Sequence, residues 1–294
     1  MPGRQPDGPM RRGDDQHDGV RDRQFVTALA RGLEILRCFR PGRRLLGNGE
    51  LAARTGLPKP TVSRLTHTLT CLGYLRHLPA QGKYELDHAV LSLGYAVLAN
   101  LPIRHIARPL MQDLADYANC SVSLAARDRL EMIYLESCRS RSTVSLRLDA
   151  GLHMPMLSTS IGRAFLAALP EPERDYFHRQ LRERDPAEWR RQQPTLAQSL
   201  LDYRECGYCL SLGDWKRNVH GVAAPLLMPD DSDVLVVTVS GPAFSLRRRQ
   251  LVEDIGPRLL YLVRHLQEEV QRELCREAGP TWLLPDPDPQ RDLP

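Results

Sequence analysis

Between Asn48 and Leu69 the chain reads NGELAARTGLPKPTVSRLTHTL. Five of its side chains, Lys59, Thr61, Ser63, Arg64 and His67, are of the types that hydrogen-bond phosphate oxygens and base edges. They are predicted to point outward from a short helix whose buried face is carried by Val62 and Leu65. A second short helix precedes it. Ala52 is small where the two helices approach, and Gly56 sits where a tight turn needs a positive φ. The pattern is that of a helix-turn-helix, and its chemistry is that of duplex DNA recognition.

A helical hairpin with a glycine turn also occurs in proteins that never meet nucleic acid, so the surrounding charge matters. From residue 23 to residue 85 the basic side chains are Arg23, Arg31, Arg37, Arg40, Arg43, Arg44, Arg54, Lys59, Arg64, Arg76 and Lys83. The acidic ones are Glu34, Glu50 and Glu85. This imbalance is the electrostatic footprint expected of a DNA-binding surface. The whole chain carries a net charge of only +4, so the remainder is close to neutral or acidic. That asymmetry implies a division between a DNA end and a non-DNA end.

The elements that must hold the reading pair follow from periodicity. Val26, Leu29, Leu33 and Leu36 recur at helical spacing, predicting a supporting helix that ends near Phe39, before Pro41-Gly42. Pro60 suits the first turn of the recognition helix, and Gly73 ends it. Two strand-like runs, at residues 74–76 and 83–86, predict a β-hairpin wing whose tip carries Gln81 and Lys83 toward the DNA backbone or minor groove. Tyr74, Leu75 and Tyr84 are expected to pack inward. Asp87 then caps an apolar helix over residues 88–100, too apolar for one small domain to cover, and a linker helix pairing with its copy in a dimer accounts for it. Pro102 interrupts it.

Beyond Pro102, helices are expected at 104–117, 162–169, 171–184, 194–206 and 246–273. Strands are expected at 121–126, 132–136, 143–148, 208–212, 219–227 and 234–240, with a turn around Gly151. Several strands succeed one another without helices, which predicts a mostly antiparallel sheet flanked by helices and an α+β fold.

At 294 residues the chain is long enough for about two cores. Seven cysteines at 38, 71, 120, 138, 206, 209 and 275 show no framework of pairs, which fits a reduced cytoplasmic setting. The N-terminal stretch is charged and rich in Gly and Pro, without the apolar core of a signal peptide. The longest apolar run, Val234 to Val239, is too short to cross a bilayer. The expected organisation is a disordered tail at 1–22, a winged helix-turn-helix DNA-binding domain at 23–86, a linker helix at 87–103, a second domain at 104–275 and a disordered tail at 276–294.

Several ordered segments resemble the IclR-type transcriptional regulators. They are ELAARTGLPKPTVSRLTHTLTCLGYL, the wing ending in KYEL, RPLMQDLADYANCSVSLAA, MLSTSIGRAFLAAL, GYCLSLGDWKRNVHGVAAPLL and VVTVSGP, spanning roughly residues 24–273. The resemblance implies a winged helix-turn-helix joined by a linker helix to a GAF-like effector domain, acting as a homodimer or homotetramer on a palindromic double-stranded DNA operator. No cofactor, metal or membrane partner is implied. It also implies a small-molecule site built from Ser158, Thr159, Ser160, Ile161, Ser211, Asp214, His220, Gly221, Thr238 and Ser240, with Met154 and Met156 as apolar wall. Physical chemistry supports an acidic ligand, because the N–H groups at the start of the helix after Thr159 form an anion site. Many members carry cysteine where this chain has Gly221, and glycine where it has Asn218.

Other signals point elsewhere. Cys206 and Cys209 form a CxxC, the spacing of a redox dithiol, but they follow a helix and so meet the wrong end of its dipole. A thiol redox switch or enzyme is the alternative reading, and zinc held with His153 or His220 lacks a second close ligand pair. Ser158, Ser160, His153, His220 and Asp214 are hydrolase types without a nucleophile elbow. Arg247, Arg248 and Arg249 are expected to project into solvent.

Overall fold

A computed structural model describes residues 24–140, 148–228 and 233–277, and these fall into two compact units that divide between Leu101 and Pro102. The tails expected at 1–22 and, beyond 277, at the C-terminus lie outside the described residues. So does the expected strand at 143–148, apart from Leu148.

The first unit contains α1 (Thr27–Arg37), α2 (Asn48–Thr55), α3 (Lys59–Cys71), β1 (Leu75–Leu78), β2 (Lys83–Leu86) and α4 (Ala89–Ala99). Ile35, Phe39, Leu46, Leu51, Val62, Leu69 and Leu75 form its core, with Ala52, Tyr74 and Tyr84 packed against it. α2 starts where Glu50 accepts the Gly47 N–H at 2.8 Å. It stops at Gly56, whose φ of +68° turns the chain sharply into α3. Leu65 packs against that core but is only partly buried. The helical period also brings Thr66 and Leu69 inward beside Val62. Buried Thr66 is satisfied by donating to the Val62 carbonyl at 3.0 Å, and it meets Asn48 Oδ1 at 3.2 Å, tying α3 to α2. β1 and β2 pair antiparallel from Leu75↔Leu86 to Leu78↔Lys83, giving the wing. His88 already has helical dihedrals, so the Asp87 carboxylate takes the adjacent His88 N–H at 2.7 Å and not an N–H further into the helix. No residue of α4 is buried, and Leu91, Leu93, Tyr95 and Val97 are exposed.

The second unit runs α5 (Pro102–Ala118), β3 (Ser121–Asp128), β4 (Glu131–Arg139), β5 (His153–Pro155), α6 (Ser160–Ala168), α7 (Glu171–Arg184), α8 (Pro186–Cys206), β6 (Cys209–Leu212), β7 (Val219–Leu227) and β8 (Val234–Pro242). A short α9 (Arg248–Gln250) passes through a π turn at Leu251–Ile255 into α10 (Gly256–Glu277). The six strands lie in the order β5-β4-β3-β8-β7-β6, every adjacent pair antiparallel. β3 and β8 are buried at consecutive positions, so helices cover both faces of the sheet. The chain is therefore α+β, as the strand order in the sequence implied.

Two elements depart from expectation. α8 begins eight residues before Pro194, because the Asp185 carboxylate accepts the N–H groups of Ala187 and Glu188 at 3.1 and 2.9 Å and Pro186 occupies the first turn. Pro194 is carried inside the helix at the loss of one backbone hydrogen bond. β5 was not expected, since three residues are too few to show a strand period. Buried Glu136 on β4 receives Arg104 and Arg108 of α5 at 2.6 and 2.8 Å, which seats that helix on the sheet.

Candidate nucleic-acid interface and ligand pocket

On α3 the five side chains singled out from sequence sit at the surface: Lys59, Ser63, Arg64 and His67 are exposed and Thr61 is half-buried. Lys59 and Arg64 make no ion pair among the described residues, so their charges face solvent and are available to an anionic partner. His67 Nε2 lies 3.6 Å from the Cys71 thiol, one turn on. At the wing, Gln81 is exposed, whereas Lys83 is drawn to Glu50 at 3.5 Å and braces the hairpin against α2. Two further members of the basic footprint are also paired, although their side chains remain exposed. Arg44 and Arg76 both bind buried Glu85, with Arg44 Nε at 2.6 Å and Arg76 Nε at 2.8 Å. The Arg44 guanidinium, with that of Arg76, holds the Glu85 carboxyl below its ordinary range. Sequence charge alone did not separate these structural arginines from the free ones.

In the second unit, a small cavity of about 20 Å³ opens at the start of α6. Met154, Thr159, Ser160, Ile161, Ser211, His220, Gly221, Thr238 and Ser240 line it, as the sequence placed them. Tyr134, Leu148, Trp215 and Val219 join the lining and had not been anticipated. Met156, Ser158 and Asp214 face a neighbouring cavity instead. The loop before α6 can pack so tightly only because residue 162 is glycine. A Cβ there would lie 2.1 Å from the Met156 carbonyl oxygen.

The pocket's hydroxyls are mostly spoken for. Thr159 donates to the Pro155 carbonyl at 2.6 Å and accepts the Gly162 N–H at 3.3 Å. Ser211 donates to the Ser158 carbonyl at 3.0 Å, and Thr238 to the Val222 carbonyl at 3.0 Å. These three therefore present lone pairs, not protons, to the cavity. His220 Nδ1 lies 2.7 Å from the Leu246 carbonyl, which can only accept, so Nδ1 carries the proton and Nε2 is the other polar atom of the ring. Burial raises the Tyr134 phenol above its ordinary range, against a hydrogen bond with Ser240. Because Thr238 Oγ1 spends its proton on Val222, the Ser160 hydroxyl is the donor in their 3.4 Å contact, and the backbone N–H groups of Ser160 and Ile161 in the first turn of α6 are the donors that the helix itself leaves without a partner.

The family profile for the IclR helix-turn-helix domain matches residues 28–79, and that for the bacterial transcriptional regulator IclR C-terminal region matches residues 95–270, more than half of the chain. The chain belongs to the IclR family. Among its relatives, the HTH-type transcriptional regulator TsaQ1/TsaQ2 of Comamonas testosteroni is 37% identical over 262 residues, covering 88% of this chain and 92% of that protein. The crystal structure of an IclR-family regulator from Brucella abortus superposes with a TM-score of 0.80 at 52% identity, over 85% of this chain and 94% of that one. An IclR homologue from Microbacterium hydrocarbonoxydans, crystallised with 4-hydroxybenzoate, shares the fold at a TM-score of 0.65 and 19% identity, over 83% of this chain and 99% of that one. The protein is thus an IclR-family transcriptional regulator with a helix-turn-helix.

In this IclR regulator several of the remaining chemistry-bearing residues are engaged by the protein itself. Cys206 is exposed, but Cys209 is buried in β6, donates to the Ser199 carbonyl at 3.4 Å, and has its thiol pushed up to about 12 by burial. A redox nucleophile needs the opposite shift. His153 Nε2 meets Asp128 at 2.8 Å and His220 Nδ1 a carbonyl, and among the described residues neither ring shows a hydrogen bond to a serine hydroxyl. Asp214, assigned to the ligand from sequence, is ion-paired with Arg163 at 2.7 Å. Among the described residues no cluster of His, Cys, Asp and Glu could hold a metal, and no single helix is long and apolar enough to cross a membrane. Arg247, Arg248 and Arg249 are exposed, as expected.

Proposed function

We propose that this IclR-family regulator binds a palindromic double-stranded operator through the exposed face of α3, as a cytoplasmic homodimer or homotetramer, and that a small organic acid in the pocket at the start of α6 alters its operator affinity. Lys59 grips phosphate, while Ser63, Arg64 and His67 meet base edges and Gln81 follows the backbone from the wing. The bare apolar surface of α4 supports self-association, because Leu91, Leu93, Tyr95 and Val97 otherwise remain in water.

One observation carries the acidic-ligand reading. Ser160 and Ile161, whose backbone N–H groups lie in the first turn of α6 without a helical partner, line a cavity that no carboxylate lines. The Microbacterium homologue crystallised with 4-hydroxybenzoate supports the same class of ligand. The full chain bound to its own upstream DNA, titrated with benzoate and 4-hydroxybenzoate, should change affinity for the DNA. Ser160→Ala should blunt that response about tenfold while leaving ligand-free DNA binding intact. A response that is absent for both acids, or unchanged by Ser160→Ala, would remove the acid site from the start of α6.

A further inference from the structure

The cavity at α6 is too small for the ligand class just proposed, and what bounds it is informative. A space of about 20 Å³ holds roughly one water. A second cavity of about 340 Å³ lies alongside, with Pro155, Met156, Leu157 and Leu181 as apolar wall. Its arginines are neutralised at the rim, Arg184 by Glu131 at 3.2 Å and Arg191 by Glu188. Trp215 lines both cavities.

Trp215 stands on the loop between β6 and β7, and the root of that loop is unusually well held. Arg163 on α6 is fully buried. Its guanidinium reaches the Leu157 carbonyl at 2.9 Å, the Leu210 carbonyl at 3.0 Å, Gln192 at 3.1 Å and the Asp214 carboxylate at 2.7 Å. Asp214 immediately precedes the tryptophan. Gly213, at φ +89°, and the Gly213 N–H to Val219 carbonyl bond at 3.1 Å close the loop below it. The ring itself is half-exposed, with Lys216 Nζ 4.2 Å from its centroid. An ion pair with a buried arginine thus anchors the backbone, while the Trp215 ring beyond it packs partly buried against the core.

We propose that Trp215 is the specificity-determining partition of the ligand site, and that Arg163 and Asp214 are the positioning residues that set it. With the ring in place the anion-binding turn of α6 accepts little beyond a carboxylate. With the ring displaced the two cavities join into a volume suited to an acid with an aromatic body, the carboxylate on α6 and the body against Met156 and Leu181. This inference rests on the acid reading of the pocket. It goes beyond it in naming what sets the size of ligand admitted.

The test is calorimetric titration of the full chain, wild type, Trp215→Ala and Asp214→Asn, with acetate, benzoate and 2-naphthoate. Trp215→Ala should lower the ratio of the 2-naphthoate Kd to the acetate Kd by about tenfold or more, the scale of a steric discrimination between ligands. Asp214→Asn should move the ratio the same way by less, an effect that loss of fold alone would not produce, because it would weaken all three acids equally. If the wild type binds benzoate but Trp215→Ala leaves the ratio unchanged, or weakens both ring-bearing acids relative to acetate, the partition is wrong and the acid site stands. If no acid binds any of the three proteins, both fall.

Discussion

Helices α3 and α6 are both short and each combines hydroxyl with basic chemistry, several groups on α3 and only Ser160 and Arg163 on α6, and the fold uses them in opposite ways. On α3 most polar groups, Thr66 apart, lie outside: Lys59 and Arg64 are without an ion pair among the described residues, and Ser63 and His67 are exposed. On α6 the segment from Ser160 to Leu166 is buried throughout, including an arginine. A polar group on an exposed face keeps its hydrogen-bonding capacity for a partner, whereas a buried one must be satisfied by the protein itself. On α3 residue type therefore leaves groups open to a partner, while around α6 Thr159, Ser211, Thr238 and Asp214 use their polar atoms to hold the pocket's walls together.

The largest expected effect breaks the α6 side of this comparison. Gly162→Ala would place a methyl 2.1 Å from a backbone oxygen, which cannot yield as a side-chain tip would, and should cost about 3 kcal/mol or more in chemical denaturation of the second unit. A cost below about 1 kcal/mol would mean that the loop at Met156 gives way easily. On α3, Lys59→Ala should leave the denaturation midpoint unchanged. It should weaken binding about equally on operator and random duplexes, with the salt slope reduced by about one. A loss confined to the operator would make Lys59 a base reader.

A smaller effect concerns the wing. The folded carboxyl of Glu85 sits below its ordinary value, so its contribution is fully present above the unfolded carboxylate pKa of about 4.3 and fades as pH falls through the folded value. Thermal midpoints of wild type and Glu85→Gln measured down through that window should converge as the pH drops. Midpoints that run parallel would detach Glu85 from the acid response. The smallest effect is a null: Cys206→Ser should alter neither stability beyond about 0.5 kcal/mol nor DNA binding under mild oxidation. A change of operator affinity on oxidation that this variant abolishes would revive the thiol switch.

The same distinction explains what could be read from the chain. The helix-turn-helix was legible because its period, its glycine turn and its charge imbalance are all local. The antiparallel sheet was legible because strands follow strands. The start of α8 was misplaced because an Asp-Pro pair and an internal proline give the same signal, and only the Asp185 carboxylate on two N–H groups decides between them. The role of Asp214 was not legible at all. Its partner Arg163 lies on another element, and in sequence that arginine looks like any surface residue of an amphipathic helix. Arg44 and Arg76 were hidden in the basic footprint for the same reason, since their partner Glu85 becomes a buried acceptor only once the wing has folded.

The outward face of α3 is tested most directly by fluorescence anisotropy of wild type and Arg64→Ala on the chain's own upstream DNA and on a scrambled duplex, across a salt titration. Wild-type binding should weaken steeply with salt and favour the upstream sequence. Arg64→Ala should lose about 1 to 3 kcal/mol on that sequence and little on the scrambled one. Salt-independent binding, or a variant that loses nothing on the upstream sequence, would contradict the placement of α3 in the groove.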